Sequence, residues 1–104
     1  MPINEIEELK NSFIESLTPI RIYLFGSFAE GRQTEDSDFD FYIVVNDGEK
    51  DMIALTAKAY KAIRHKQKRA VDIIVNTVGT FEDKKNKIMT LEKEIIQKGV
   101  LLYG

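Results

Sequence analysis

The order of apolar periodicities predicts an α/β fold of the α+β kind, a small mixed β-sheet of about three strands flanked by helices. Two observations carry this expectation. Apolar residues at steps of three and four mark helices near the start, middle and end of the chain. Between them lie three short runs rich in β-branched and aromatic residues, which read as strands. The resulting order is α, β, short α, β, α, β, α. A length of 104 residues suits one hydrophobic core, so residues 1–104 are read as a single domain.

The first helix is expected over Ile3 to Leu17, where Ile6, Leu9, Phe13, Ile14 and Leu17 share one face and Pro19 prevents continuation. "RIYLF", Arg21 to Phe25, reads as a buried strand that ends in a sharp turn at Gly26, with "GSFAEG" leading into a short helix. "FDFYIVV", Phe39 to Val45, is the second strand, closed by the turn residues Asn46, Asp47 and Gly48. A longer helix is predicted from Asp51 to Arg69, with Ile53, Leu55, Ala59, Tyr60 and Ile63 as its apolar positions. "AVDIIV", Ala70 to Val75, is the third strand. Phe81 to Lys98 completes the set as a helix carrying Phe81, Ile88, Leu91, Ile95 and Ile96, ended by Gly99.

Composition narrows the function classes. The net charge of −2 gives little general attraction to nucleic acid or anionic lipid, so contact with a polyanion must be local and nucleic-acid binding stays open. The absence of cysteine removes disulfides and thiolate metal sites, and a single His removes a histidine-rich one. No apolar run approaches the ~18 residues of a membrane span, and the acidic, amphipathic start lacks the pattern of a secretion signal. A cytoplasmic protein with no membrane association is the expectation.

"LFGSFAEGRQ", Leu24 to Gln33, nearly spells a phosphate-cradling P-loop, but Arg32 and Gln33 stand where the Lys and the Mg²⁺-binding hydroxyl belong. Metal ligands for such a loop must come from elsewhere. Asp38 and Asp40 are two apart on a strand and share a face, with Phe39 and Phe41 turned toward the core. Asp72 interrupts an otherwise apolar strand, where an ionised carboxylate is costly unless paired or metal-bound. If the second and third strands are neighbours, the three carboxylates form one acidic cluster. Two Mg²⁺ ions roughly 3.5 to 4 Å apart would relieve the repulsion and make a phosphoryl- or nucleotidyl-transfer site. Gly26 and Ser27 would then offer amides and a hydroxyl to a triphosphate, and Gly31 would allow the backbone to turn beside the nucleotide.

"FGSFAEGRQTEDSDFDFYIVV" followed by "VDIIV" resembles the signature of the DNA polymerase beta-like nucleotidyltransferase superfamily: a Gly-Ser turn, paired acids at a fixed distance and a later single Asp. The minimal nucleotidyltransferase branch is the nearest likeness, and "LEKEIIQKGVLLYG" resembles that branch's C-terminal helix and short tail. The resemblance implies the nucleotidyltransferase fold. It also implies that Gly26 and Ser27 hold the phosphates, that Asp38 and Asp40 bind both metals, and that Asp72 binds the catalytic metal and helps activate the nucleophile. Glu30 departs from the pattern, since Arg or Lys is common there; Arg32 is the residue placed to compensate.

The function expected is Mg²⁺-dependent transfer of NMP, AMP from ATP in the first instance, to a hydroxyl of a protein or other acceptor. In the resembling branch the small catalytic chain is often paired with a helical HEPN protein, some pairs acting as toxin and antitoxin, so a HEPN-type partner is part of the expectation. The alternative is a binding module on the same fold that masks a partner without chemistry. A small-molecule-modifying enzyme is a weaker option, because one short domain lacks a deep acceptor pocket unless a second copy or a partner completes it. A two-metal nuclease would leave the Gly26 and Ser27 turn unexplained. Three further sites carry plainer readings. Ser37 either orients Asp38 or forms the turn before the second strand, with the turn at least as favoured. "RHKQKR" (Arg64 to Arg69) could meet RNA or a partner's acidic face but reads more readily as a solvated helix end with His65 exposed. Tyr23, Tyr42 and Tyr60 are core or edge residues before they are stacking platforms for a nucleotide.

Overall fold

The computed structural model describes residues 2–104. Its helices and strands follow the order α1 (Ile3–Leu17), β1 (Arg21–Phe25), α2 (Ser27–Glu30), β2 (Phe39–Val45), α3 (Met52–Ile63), β3 (Val71–Thr77), α4 (Val78–Lys84), α5 (Leu91–Lys98) and β4 (Val100–Tyr103). The sheet has four strands in the order β3-β2-β1-β4 and is mixed. β1 runs antiparallel to β2 and to β4, whereas β2 and β3 are parallel, joined through α3. Among the described residues no helix is long and apolar enough to cross a membrane.

Alternation along the strands divides the core into two layers. Ile22 and Leu24 of β1, Phe39, Phe41, Ile43 and Val45 of β2, and Val71, Ile73 and Val75 of β3 pack with Ile6, Leu9, Phe13 and Leu17 of α1 and Ala59 and Ile63 of α3. Tyr23, Tyr42 and Val44 point the other way and meet Phe81 of α4 and Ile95 of α5. Tyr23 stacks on Phe81 at 5.2 Å between ring centroids, and Tyr42 meets the same ring edge-on at 5.3 Å. Both tyrosines are thus core residues, as expected. Tyr60 is an edge residue whose hydroxyl accepts the Ile73 amide at 3.0 Å.

Four expectations are corrected. The sheet has a fourth strand, because the apolar run after Gly99 pairs with β1 through Leu24↔Val100 and Ile22↔Tyr103 instead of trailing as a tail. The helix expected over 81–98 is two helices, each begun by a threonine cap: Thr77 Oγ1 accepts the Thr80 amide and Thr90 Oγ1 accepts the Lys93 amide. α3 stops at Ile63, six residues before Arg69, so most of the basic run lies beyond the helix. Finally, Ile53 (85% exposed), Ile88 and Ile96 lie at the surface, not in the core. Ile53 and Ile96 lie off the buried faces of α3 and α5, and Ile88 lies in the turn between α4 and α5.

Candidate active site

β1 ends where β2 begins, and the antiparallel register sets Phe25 opposite Asp40. The parallel register on the other side of β2 sets Asp40 opposite Asp72. Gly26, Asp40 and Asp72 therefore meet at one end of the sheet, on the face that Tyr42 and Val44 occupy further along. α4 and α5 cover that face over Tyr42, which is fully buried, but Asp40 is only partly buried and Asp72 is exposed. The apolar flanks of Asp72 suggested a buried charge; its position beyond the helical cover keeps it in water.

The turn itself is specified by glycine. Gly26 has φ 75° and ψ −154°, a conformation essentially closed to residues with a side chain, and a Cβ there would overlap Oδ2 of Asp40. The backbone of the turn thus lies directly against the carboxylate. Ser27 opens α2, whose amino end has no side-chain cap, and the helix is a single turn of four residues. Gly31 closes it in the left-handed conformation, φ 72°. A Cβ on Gly31 would meet nothing within 4 Å, so glycine is required there by backbone conformation and not by crowding.

Electrostatics single out Asp40. Its pKa is pushed up to about 6, first by burial, then by the charge of Asp72 and a hydrogen bond between the two carboxyls, and last by Asp38. Every one of these influences raises it. Asp38 stands one residue ahead of β2 and is partly buried. Among the described residues no three acidic or histidine side chains are grouped tightly enough to hold a metal ion in this arrangement. Asp40 and Asp72 are brought together, while Asp38 contributes to the field without joining them in a closed ligand set. The donor chemistry fits a hard divalent cation, being all carboxylate oxygen with uncompensated charge.

Of the cations singled out in the sequence, Arg69 is the one placed differently from expectation. Arg32 pairs with Glu30, Nη2 to Oε2 at 3.3 Å, and its side chain is largely exposed. Ser37 forms the turn before β2, its Oγ accepting the Thr34 amide at 2.8 Å. Arg64 to Lys68, including His65, are exposed. Arg69 is not part of that solvated run: it forks onto Glu5, with Nε 2.8 Å from Oε2 and Nη2 3.2 Å from Oε1. Its guanidinium also lies over the rings of Phe39 and Phe28. Sequence reading missed this residue, because a pairing across 64 positions leaves no local periodicity to find.

Comparison with known proteins places these features in a family. The nucleotidyltransferase domain family matches residues 6–102. A toxin-antitoxin structure with AMP-PNP superposes with a TM-score of 0.56 at 22% identity, covering 100% of this chain and 74% of that one. A candidate nucleotidyltransferase from Sulfolobus solfataricus gives a TM-score of 0.60 at 21% identity, over 94% and 76%. A double Asp-to-Glu variant of the toxin-antitoxin MntA-HpeT gives 0.57 at 22% identity, over 100% and 74%. At these identities the likeness shows a shared fold. No curated protein matches the chain.

Proposed function

This chain belongs to the nucleotidyltransferase domain family, and from that premise we propose that it is a Mg²⁺-dependent enzyme that transfers AMP from ATP to a hydroxyl of a partner protein. The observation that carries the reading is the apposition of Asp40 and Asp72 beside the Gly26 turn, with Asp38 on the same strand end. Residues 1–104 act as one catalytic domain in this reading, in the cytoplasm.

The roles follow from position. The Ser27 hydroxyl and the free amides at the start of α2 receive the triphosphate, and Gly26 keeps that turn against Asp40. Asp38, Asp40 and Asp72 would hold the divalent ions, which when bound offset phosphate charge and lower the pKa of the attacking hydroxyl. The acceptor oxygen attacks the α-phosphorus, the bond to pyrophosphate breaks, and the hydroxyl proton passes to Asp72. Gly31 and Arg32 border the nucleotide; Arg32 must leave Glu30 to contribute charge. Since Asp72 is exposed and Asp38 and Asp40 are only partly buried, the acceptor's own surface completes the site, as the toxin-antitoxin neighbours support. A helical HEPN-type protein is the partner in this proposal.

The test is incubation with α-labelled ATP, Mg²⁺ and the candidate partner, beside an Asp38→Ala, Asp40→Ala protein. Label moving to the partner only with the wild type, and ceasing with EDTA, is the expected result. One observation favours a second reading, a module that masks its partner without chemistry: the acids are not preset as a three-ligand metal site. Equal binding of the partner by both proteins with no labelling would select it.

A further inference from the structure

We infer that Arg69 is a positioning residue for the acidic site, bracing from the back of the sheet the two aromatic rings that flank Ser27 and the Asp38 and Asp40 pair. This rests on the function proposed above. The guanidinium carbon lies 4.6 Å from the Phe39 ring centroid and 5.2 Å from that of Phe28, and the rings are 4.7 Å apart at 59°. Phe39 separates Asp38 from Asp40, and Phe28 follows Ser27 directly. Both rings are buried in the layer of α1 and α3, whereas Asp40 and Asp72 belong to the opposite face.

Arg69 therefore touches no substrate on the acidic face. It fixes the pleat from which the acids project, since a shift of the Phe39 ring turns the backbone that aims both neighbours. Glu5 of α1 holds the guanidinium at two points, and the next residue, Ala70, accepts the Phe39 amide at 3.1 Å. One side chain thus ties α1, α2, the start of β2 and the approach to Asp72 on β3. A planar cation is needed, because the same group must fork onto a carboxylate and lie over two rings. A lysine keeps the charge and loses the plane.

The full chain is tested as wild type, Arg69→Lys and Arg69→Ala, with Mn²⁺ titration in the absence of nucleotide, thermal unfolding, and transfer from labelled ATP well below each Tm. A displacement of about 1 Å at a reacting group lowers rates about 10²-fold. We expect Arg69→Ala to lose about that factor in kcat with KM for ATP changed less than about threefold, and to bind Mn²⁺ more weakly. Arg69→Lys, folded with nearly the wild-type Tm, should still fall about tenfold in kcat. Wild-type Mn²⁺ affinity and kcat in both variants, with only Tm reduced, would make Arg69 a plain stabiliser and overturn the inference. A wild type that transfers nothing, yet loses Mn²⁺ affinity on Arg69→Ala, sustains the brace and removes the transfer reading. A wild type that neither binds Mn²⁺ nor transfers label overturns both.

Discussion

Asp40 and Tyr42 point to the same face of β2, and the carboxylates beside them are treated in opposite ways. Glu92, delivered by α5 and 6% exposed, accepts the Tyr42 hydroxyl at 2.7 Å, and Asn76 Nδ2 donates to that same hydroxyl oxygen at 3.2 Å. Burial and the bond to Glu92 hold the Tyr42 ionisation far above its usual range, so this hydroxyl stays a donor. Asp40 is less buried yet less satisfied: it faces two more carboxylates, and its pKa stands near 6. The difference is helical cover. Where α4 and α5 close the sheet, charge is matched by fixed donors; where they stop, it is left for a ligand to match. The deeper carboxylate is the structural one, so burial alone does not mark function.

Removing the unmatched charge should produce the largest separation of activity from stability. Asp40→Asn is expected to cut transfer on the order of 10³-fold or more, since several kcal/mol of charge stabilisation is lost. Its effect on folding has the opposite sign. Asp40 has a folded pKa, about 6, above the ordinary 3.8, so folding opposes its ionisation. That penalty is absent below the ordinary value and complete above the folded one. In EDTA the variant should be more stable than wild type at pH 8 by about 1 kcal/mol, a figure reduced for solvent screening, with the gap closing near pH 4. Urea unfolding across that range measures it, and a variant less stable at pH 8 would mean that Asp40 is matched after all.

Gly26→Ala comes next, because it attacks the same carboxylate from the turn. The backbone conformation costs about 1–3 kcal/mol for a residue with a side chain, and the new Cβ must displace Asp40. We expect a lower Tm together with about 10²-fold slower transfer. Gly31→Ala, whose added methyl meets open space beside the proposed nucleotide and displaces no carboxylate, should lower Tm with a smaller loss of transfer than Gly26→Ala. Equal activity losses at the two glycines would undo the distinction between crowding and conformation.

How much of this was legible in the sequence depended on the range of the signal. β1 and β2 were delimited by local alternation and turn residues, and the spacing of Asp38 and Asp40 put them on one strand end. Asp72 was conspicuous because it broke an apolar run. The strand "VLLY" is readable only in part: Gly99 marks the end of the helix before it, but a four-residue run gains its strand character from pairing with β1. The break between α4 and α5 had a local mark in Thr90, whose capping hydroxyl also bonds the carbonyls of Lys84 and Lys87, yet the apolar spacing of Ile88 overrode it. Ile88 and Met89 are exposed, Met89 at φ 64°. Glu92 and Arg69 were illegible, because their partners lie 50 and 64 residues away.

The smallest effects test the matched half. Tyr42→Phe leaves the Glu92 carboxylate buried without its donor, at a cost of about 1–3 kcal/mol, while transfer should stay within about threefold of wild type because the acidic end is untouched. Glu92→Gln is milder still: the amide oxygen can accept the Tyr42 hydroxyl as the carboxylate does, so the expected loss is under about 1 kcal/mol. The pair is informative together. If Glu92→Gln costs as much as Tyr42→Phe, the ionised carboxylate itself is required at this position, and the contrast with Asp40 becomes one between two charges that each need a partner. If it costs less, Tyr42 serves Glu92 as a hydrogen-bond donor to an acceptor of either charge, and the unmatched carboxylates are confined to the open end of the sheet.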